Sequence, residues 1–253
     1  MKPIAEIKDE FKDCQMQELK SLIMKYDNDE RQGVKKLISG YKKKLDSYYE
    51  ELVRLKEISL FENLYLENGY KYIAGIDEVG RGPLAGPVVA CALIYPKDIL
   101  IEGINDSKKL SEKRRNEIFW QLEKSAADVG MGIVEPDVID EINILNATKL
   151  AMKYAVNNLK VKPDILLIDA VNIDGVDIEQ KAIIKGDERS ITIAGASIIA
   201  KVMRDEMMYK YAETYPQYGF DKNKGYGTKE HIEAIKKYGL TPIHRRSFVT
   251  NIL

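Results

Sequence analysis

Four acidic residues stand at or just after the ends of short apolar runs. Asp77 and Glu78 come at the end of YIAGID and directly after it, Asp169 ends ILLID, and Asp187 follows AIIKG. An acid at the end of an apolar strand lies at the edge of a sheet, where ligands bind in α/β folds. If the strands are neighbours, these carboxylates converge, repel one another and resist burial. A divalent cation resolves that conflict, so the placement predicts a metal site.

The donor set decides which metal this site would take. All four donors are carboxylates, which favours Mg²⁺ or Mn²⁺ over zinc. The two histidines, His231 and His244, form no HExxH motif, and the sequence has no GxxxxGK[ST] loop. The segment DAVNIDGVDIE fails as a calcium loop, because aligning Gly175 with the loop glycine puts Ala170 at the first ligand position. Two ions of this kind can activate a water and stabilise the leaving oxygen of a phosphodiester.

A purely structural interpretation of these acids also exists. An aspartate that follows a strand is often a helix cap or a turn former. That role is the more common one for any single acid, whereas the repeated placement favours a shared site. The spacing alone leaves both interpretations open.

The first two acids lead into a loop suited to close approach. The stretch GIDEVGRGPLAGPV, residues 75–88, places an arginine between Gly80 and Gly82 and follows it with a second turn of small residues. Glycine lets the backbone come closer to a ligand than any other residue does. The sequence therefore joins two carboxylates to a loop that can contact a ligand through its main chain.

The elements that must position these residues alternate along the chain from residue 72. Hydrophobic periodicity and turn residues predict strands at 72–76, 88–95, 129–134, 165–168 and 178–184, and helices at 111–124, 147–159, 190–211 and 228–237. Ser111 is the expected N-cap of the first of these helices. The Gly/Pro loop between the first two strands indicates that they pair as neighbours. The pattern predicts an α/β layered domain.

Residues 1–70 differ in composition and hydrophobic periodicity from residues 71–253, and we place a domain boundary between them. They are rich in Lys, Glu, Leu and Tyr, and Gly33 and Gly40 are the only glycines before position 69. Apolar residues recur at helical spacing: Tyr41, Leu45, Tyr48, Tyr49, Leu52 and Leu55. We expect two or three amphipathic helices, forming either a helical hairpin packed on the main domain or a partner, or an arm that grips substrate.

Composition sets limits on the class of protein. The chain has 253 residues, 45% hydrophobic and 31% charged, with a net charge of −1. No apolar run reaches the ~18 residues of a membrane helix, and the charged start lacks the apolar core of a signal peptide. Two cysteines, Cys14 and Cys91, form no disulfide framework. We expect a cytoplasmic protein without a membrane partner. Locally basic stretches at 108–115 and 222–246 permit a phosphate-bearing partner.

Seven blocks in order carry a resemblance to a known family: GIDEVGRGPLAGPVVA, NDSKKL, LLIDA, IIKGD, GASIIAKVMRD, YPQYGFDKNKGYGTKEH and PIHRRSF. Residues 70–250 resemble ribonuclease HII, the bacterial type 2 ribonuclease H. The resemblance implies an RNase H-like fold, a central mixed β-sheet flanked by helices, here with an N-terminal helical extension. It implies hydrolysis of the RNA strand of RNA–DNA hybrids. It also implies cutting on the 5′ side of single ribonucleotides in duplex DNA, leaving 5′-phosphate and 3′-hydroxyl ends.

The resemblance also assigns residues to roles. It makes Asp77, Glu78, Asp169 and Asp187 the catalytic metal ligands, with two ions of Mg²⁺ or Mn²⁺ expected in the substrate complex. It implies that Gly80-Arg81-Gly82 reads the ribose 2′-hydroxyl, largely through backbone groups. That hydroxyl is the group that distinguishes RNA from DNA. Tyr226 matches the family tyrosine that packs on the sugar after the ribonucleotide, whereas a lone tyrosine without the motif is usually a packing residue.

Further contacts to the nucleic acid are implied by the remaining blocks. Residues expected to contact or lie near the backbone phosphates or the DNA strand are Asn105, Ser107, Lys108, Ser197 and Lys201. Helix capping and helix packing are the structural alternatives for them. Asp106 is expected to be structural. His244 and Arg245 are expected to be structural or to face phosphate, with no role as a general base.

Two other functions remain as alternatives. A type 3 ribonuclease H shares the fold and prefers longer RNA stretches; the intact Gly80-Arg81-Gly82 and Tyr226 argue against it. A binding module for hybrids that has lost turnover is the other; the four retained acids argue against that.

Overall fold

The computed structural model describes residues 2–95 and 100–252, and the chain divides into two compact units, residues 1–56 and 57–253. The helices are α1 (Ile4–Asp13), α2 (Met16–Tyr26), α3 (Gln32–Ile58), α4 (Leu60–Glu67), α5 (Glu112–Ser125), α6 (Pro136–Asn157), α7 (Gly186–Arg189), α8 (Ile191–Thr214), α9 (Phe220–Asn223), α10 (Lys229–Tyr238) and α11 (Arg246–Val249). The strands are β1 (Ile73–Val79), β2 (Val88–Ile94), β3 (Asp128–Val134), β4 (Ile165–Asp169) and β5 (Glu179–Ile183). Across the described residues, no helix combines the length and apolarity needed to span a bilayer.

The first unit is helical and has a core of its own. Its buried residues come from α1, α2 and α3: Ile7, Phe11, Leu19, Ile23, Val34, Ile38 and Leu45. The prediction of two or three helices before residue 70 is wrong, because four are present there. Extended backbone at Cys14 and Gln15 separates α1 from α2 without a glycine or proline. Gly40 lies inside α3, where a glycine costs about 1 kcal/mol relative to alanine, and Gly33 lies in the first turn of the helix.

Helix α4 belongs to the second unit. Glu62 is buried there and accepts hydrogen bonds from the Ser190 hydroxyl and from the Thr192 amide and hydroxyl, at the start of α8. The division between the compact units at residues 56 and 57 thus precedes the domain boundary that we placed at residue 70.

The second unit is built on a mixed five-stranded sheet in the order β3-β2-β1-β4-β5. The β1–β2 and β2–β3 pairs are antiparallel, whereas β1–β4 and β4–β5 are parallel. This confirms the predicted sheet and the pairing of the first two strands. Helices cover both faces, with α6 packed on β2 and β3 and α8 on β1 and β2.

Glycines allow both helices to approach the sheet closely. A Cβ atom on Gly132 of β3 would lie 1.9 Å from the carbonyl oxygen of Ala151 in α6. A Cβ atom on Gly75 of β1 would lie 2.2 Å from the carbonyl carbon of Thr192 in α8. Because such distances are impossible for a real side chain, a larger residue at Gly132 would push α6 away from β3, and one at Gly75 would push α8 away from β1, the strand that carries Asp77.

Strand β1 and helices α6 and α8 extend beyond their predicted bounds, with α8 ending at Thr214 and not at residue 211. Strand β1 continues to Val79, so Asp77 and Glu78 lie within the strand and not at its end. Helix α6 begins at Pro136, well before the predicted residue 147. Asn143 interrupts its apolar periodicity with φ 66°, and the Asn143 side chain then accepts hydrogen bonds from the amides of Leu145 and Asn146. The interruption hides the first half of the helix from a periodicity analysis.

A buried histidine pair joins α10 to the C-terminal segment. His231 and His244 lie with their Nε2 atoms 3.1 Å apart, among the rings of Tyr218 and Phe220. Burial lowers the pKa of both rings, and the neighbouring His231 lowers the pKa of His244 further, to about 4. The pair is therefore neutral in the folded protein at neutral pH, and the burial of His244 favours the structural role over the phosphate-facing one.

This pair predicts acid sensitivity. Between the ordinary histidine pKa of 6.5 and about 4, the unfolded state binds a proton that folded His244 does not, so stability falls as the pH drops. The shift corresponds to roughly 3 kcal/mol of unfolding free energy at pH 4. We expect His244→Asn to show a shallower loss of stability between pH 7 and pH 4 in urea titrations. Equal slopes for the two proteins would contradict the prediction.

Candidate active site

Asp77 and Asp169 lie side by side on neighbouring parallel strands. The register pairs Ile76 of β1 with Ile168 of β4, so the acids that follow them are level with each other. Residues of odd number in β1 face α8, as the contact of Gly75 with that helix indicates. Asp77 is 5% exposed. The sheet thus brings two carboxylates together beneath α8.

Glu78 is placed differently, because successive residues of a strand point to opposite faces. Its carboxylate is paired with Arg81, whose Nη1 lies 3.2 Å from Oε1. Because they are consecutive residues of β1, Asp77 and Glu78 point their side chains to opposite faces of the sheet.

Asp187 reaches the site from the turn after β5. Lys185 takes a left-handed conformation with φ 56°, which turns the chain into α7. The amide of Gly186 then donates to Asp169 Oδ1 over 2.7 Å. Asp187 Oδ2 lies 4.0 Å from Nζ of Lys108, a side chain that is 78% exposed. A backbone hydrogen bond thus ties the Asp187 turn to Asp169.

The site carries more negative charge than its surroundings neutralise. Burial, and then the charges of Glu78 and Asp169, raises the pKa of Asp77 well above its ordinary value. Burial also raises the pKa of Glu78, with Arg81 opposing it, and the pKa of Asp187, to which Asp106 and Asp169 add. These shifts are those of carboxylates that repel one another in a low-dielectric site.

The donor chemistry fits a hard divalent cation, since every candidate ligand is a carboxylate oxygen. Each carboxylate nevertheless has a separate partner in this structure. Within residues 2–95 and 100–252, no three Asp, Glu, His or Cys side chains come close enough to form a metal-binding group. The predicted convergence is therefore partial: Asp77 and Asp169 are neighbours, while Glu78 and Asp187 are held towards Arg81 and Lys108.

The Gly80-Arg81-Gly82 loop leaves β1 directly beside these acids. Gly80 is buried with φ 93°, and a Cβ atom there would lie 2.3 Å from Nε of Arg204 and 2.7 Å from the carbonyl oxygen of Pro87. Arg81 and Gly82 are exposed. A Cβ atom on Gly82 would lie 3.7 Å from the ring of Tyr226, which is 46% exposed. The structure thus brings the loop and the tyrosine together, although 144 positions separate Gly82 from Tyr226.

The other predicted contacts fall into two groups, and the first is buried. Ser107 and Ser197 share a hydrogen bond of 2.9 Å, and Ser197 also bonds to Asp77. Both serines are under 5% exposed. They connect the NDSKKL loop to the Asp77 carboxylate through the interior.

The second group has polar partners nearer the surface. Asn105 accepts a hydrogen bond from the Asp106 amide, and Asp106 accepts one from Lys108 N, as expected of a structural aspartate. Lys201 forms an ion pair of 2.7 Å with Asp205. Lys108 alone among these contacts extends a largely exposed cation beside the acids.

Sequence reasoning missed Arg204 and gave Arg245 no definite partner. Both are fully buried, and both donate to backbone carbonyls of the loop after β1. The one available signal was an arginine at the end of the small-residue helix GASIIAKVMRD. Their partners are carbonyl groups, which no side-chain pattern reveals.

Comparisons with known proteins agree on one family. The family model described as Ribonuclease HII matches residues 74–251, and the model of the Ribonuclease HII N-terminal domain matches residues 3–66. The chain is 54% identical over 252 residues to ribonuclease HII of Clostridioides difficile (strain 630), covering 100% of this chain and 99% of that protein. It is 57% identical over 220 residues to ribonuclease HII of Acetivibrio thermocellus, covering 87% and 86%.

A solved structure extends this agreement to three dimensions. The ribonuclease H2 from Pyrococcus horikoshii OT3 matches with a TM-score of 0.60 at 30% identity, over 72% of this chain and 97% of that one. The central mixed sheet and the order of the sequence blocks are therefore those of one family. The chain belongs to the ribonuclease HII family, and it is a ribonuclease H, a phosphodiester hydrolase that acts on RNA–DNA hybrids.

Proposed function

We propose that this ribonuclease H cuts on the 5′ side of single ribonucleotides embedded in duplex DNA, as well as within the RNA strand of hybrids. The products are 5′-phosphate and 3′-hydroxyl ends. The observation that carries the proposal is the adjacency of the paired acids, the Gly80-Arg81-Gly82 loop and the ring of Tyr226. A scissile phosphate and a ribose 2′-hydroxyl are neighbours in the substrate, and the groups proposed to contact them are neighbours here.

The four acids are the proposed metal ligands, and Asp77 and Asp169, which are level on neighbouring strands, would anchor the site. When bound, two ions of Mg²⁺ or Mn²⁺ would supply an activated water and neutralise charge on the leaving oxygen. The support in this chain is chemical: an all-carboxylate donor set, three members of which have pKa values raised by burial and mutual repulsion. For Glu78 and Asp187 to bind the same ions as Asp77 and Asp169, their ion pairs with Arg81 and Lys108 would have to break.

The chain's own residues position the phosphodiester. The exposed Lys108 can bind a phosphate oxygen next to Asp187, and Asn105 in the same loop is a second proposed phosphate contact. The burial of Ser107 and Ser197 favours a supporting role, in which they orient Asp77. Lys201 is proposed to contact the DNA strand after leaving its pairing with Asp205.

Recognition of the ribonucleotide is assigned to the loop and the tyrosine. Arg81 and Gly82 are exposed, so their backbone can approach a sugar, and the 2′-hydroxyl is the group that marks RNA. The Tyr226 ring beside Gly82 would pack on the next sugar. A second 2′-hydroxyl there would crowd the ring, which favours an RNA-to-DNA junction.

A gel assay tests the proposal. A labelled DNA duplex with one ribonucleotide is incubated with Mg²⁺, Mn²⁺ or a chelator, and we expect one metal-dependent cut on the 5′ side of the ribonucleotide. Cutting of long hybrids alone would support the type 3 alternative. Binding without any cutting would support the module that has lost turnover.

Asp77→Asn is expected to abolish cleavage and to leave binding of the hybrid intact, because the acid serves metal rather than folding. The loss should exceed the roughly 10–100-fold that follows removal of a metal ligand's hydrogen-bond partner. Mn²⁺ should also raise the melting temperature of the wild-type protein and not that of the variant. Asp174→Asn, an exposed acid paired with Lys149, is the control. Turnover near that of the control would contradict the assignment.

Tyr226→Ala is expected to reduce cutting at a single ribonucleotide by roughly tenfold, about 1.4 kcal/mol, more than cutting of a long hybrid. A long hybrid offers many registers, whereas a single ribonucleotide needs the adjacent deoxyribose to be recognised. Tyr238→Ala is the matched control, since that ring is exposed to a similar extent. Equal losses on both substrates would remove the junction-sensing role and make Tyr226 a packing residue.

A further inference from the structure

The loop after β1 turns several of its carbonyl groups towards one buried guanidinium. Arg245 is fully buried, and it donates to the carbonyl oxygens of Gly80, Arg81 and Gly86, the last through Nε over 2.9 Å and Nη2 over 2.7 Å. The bond from Nη1 to the Arg81 carbonyl is 3.0 Å long. The planar fork of donors of one side chain thus joins the start of the loop to its end.

This arrangement fixes the direction of the loop's amide groups. The described residues contain no cis peptide bond, and in a trans peptide the N–H points away from the preceding C=O. Because the carbonyls of Gly80 and Arg81 point inward to Arg245, the amides of Arg81 and Gly82 point outward. In the described part of the chain, neither amide donates to a backbone acceptor. Two successive outward N–H groups form a concavity that attracts an oxygen of a ligand.

Arg204 is a second buried arginine that binds carbonyl groups of the same loop. It is also fully buried, and it donates to the carbonyls of Pro87 at 3.0 Å, Ala85 at 3.1 Å and Lys224 at 2.9 Å. Lys224 lies two residues before Tyr226, so this guanidinium joins the loop to the segment that carries the tyrosine. The amide of Leu84 adds a bond of 2.8 Å to the Gly225 carbonyl.

The arrangement is energetically costly. Burial lowers the pKa of Arg204 to about 10, and burial together with the charge of Arg204 lowers that of Arg245 to about 9. Both remain protonated at neutral pH, with carbonyl oxygens as their hydrogen-bond acceptors. An apolar pair of similar size would avoid this desolvation cost, but it would leave the carbonyls free to rotate.

We infer that Arg245 is a positioning residue for ribose specificity: its fork holds the Gly80 and Arg81 carbonyls inward, so that the amides of Arg81 and Gly82 face the 2′-hydroxyl. Arg204 aligns the same loop with Tyr226. The inference rests on the proposed role of the Gly80-Arg81-Gly82 loop as the reader of the ribose. It makes the discrimination between ribose and deoxyribose depend on two side chains that do not themselves contact the substrate.

The test measures binding preference without turnover. In an Asp77→Asn background, fluorescence anisotropy compares a duplex containing one ribonucleotide with the same duplex made entirely of DNA. Arg245→Lys keeps the charge but lacks the planar fork. We expect its preference for the ribonucleotide duplex to fall roughly tenfold, about the effect of one lost hydrogen bond. Affinity for the all-DNA duplex should not change. Arg246→Lys, at the neighbouring exposed arginine, is the control and should keep the full preference.

The possible results separate the inference from the proposed function. Full preference in Arg245→Lys, or an equal fall in affinity for both duplexes, overturns the inference and leaves the proposed function standing. No preference in the Asp77→Asn parent overturns the proposed reading of ribose by the loop. If Arg245→Lys does not fold, as judged by thermal melting, Arg204→Lys replaces it in the same assay and should also lower the preference.

Discussion

Mutual repulsion between buried carboxylates is the constraint around which this molecule is arranged. Parallel pairing of β1 and β4 makes Asp77 and Asp169 level, and α8 covers them. Two like charges at that depth raise the cost of ionisation, as the raised pKa of Asp77 reflects. Neighbouring groups offset part of this negative charge. Arg81 forms an ion pair with Glu78, Lys108 lies 4.0 Å from Asp187, and the amide of Gly186 donates a hydrogen bond to Asp169.

The sheet can hold acids at this position because the layers around it are close-packed. Glycines in β1 and β3 let α8 and α6 approach the strands to distances that no side chain would permit. Ser197 of α8 is therefore close enough to form hydrogen bonds with both Asp77 and Ser107. Side chains positioned by strands and a packed helix are held more rigidly than side chains positioned by loops.

Buried groups of the opposite charge lie beside the loop that follows β1. Two buried guanidiniums gather carbonyls from the loop after β1, and one of them also reaches the segment before Tyr226. These buried cations organise main-chain groups, a few residues away from the buried carboxylate of Asp77. A histidine pair, neutral at physiological pH, completes the connection between α10 and the C-terminal segment without adding charge.

The sequence by itself determined the chemistry and most of the elements. Carboxylates at apolar runs, without histidine or cysteine beside them, specified a hard-cation donor set, and local signals such as the Ser111 cap located α5. Only the tertiary structure decided how these parts meet. Strand alternation separates Glu78 from Asp77, and Asn143 hides half of α6. Hydrogen bonds across 164 and 165 positions turn the Arg81 and Gly80 carbonyls to Arg245. Main-chain orientation and long-range contacts leave no periodic trace in side-chain types, which is why the sequence indicated candidate residues and not their arrangement.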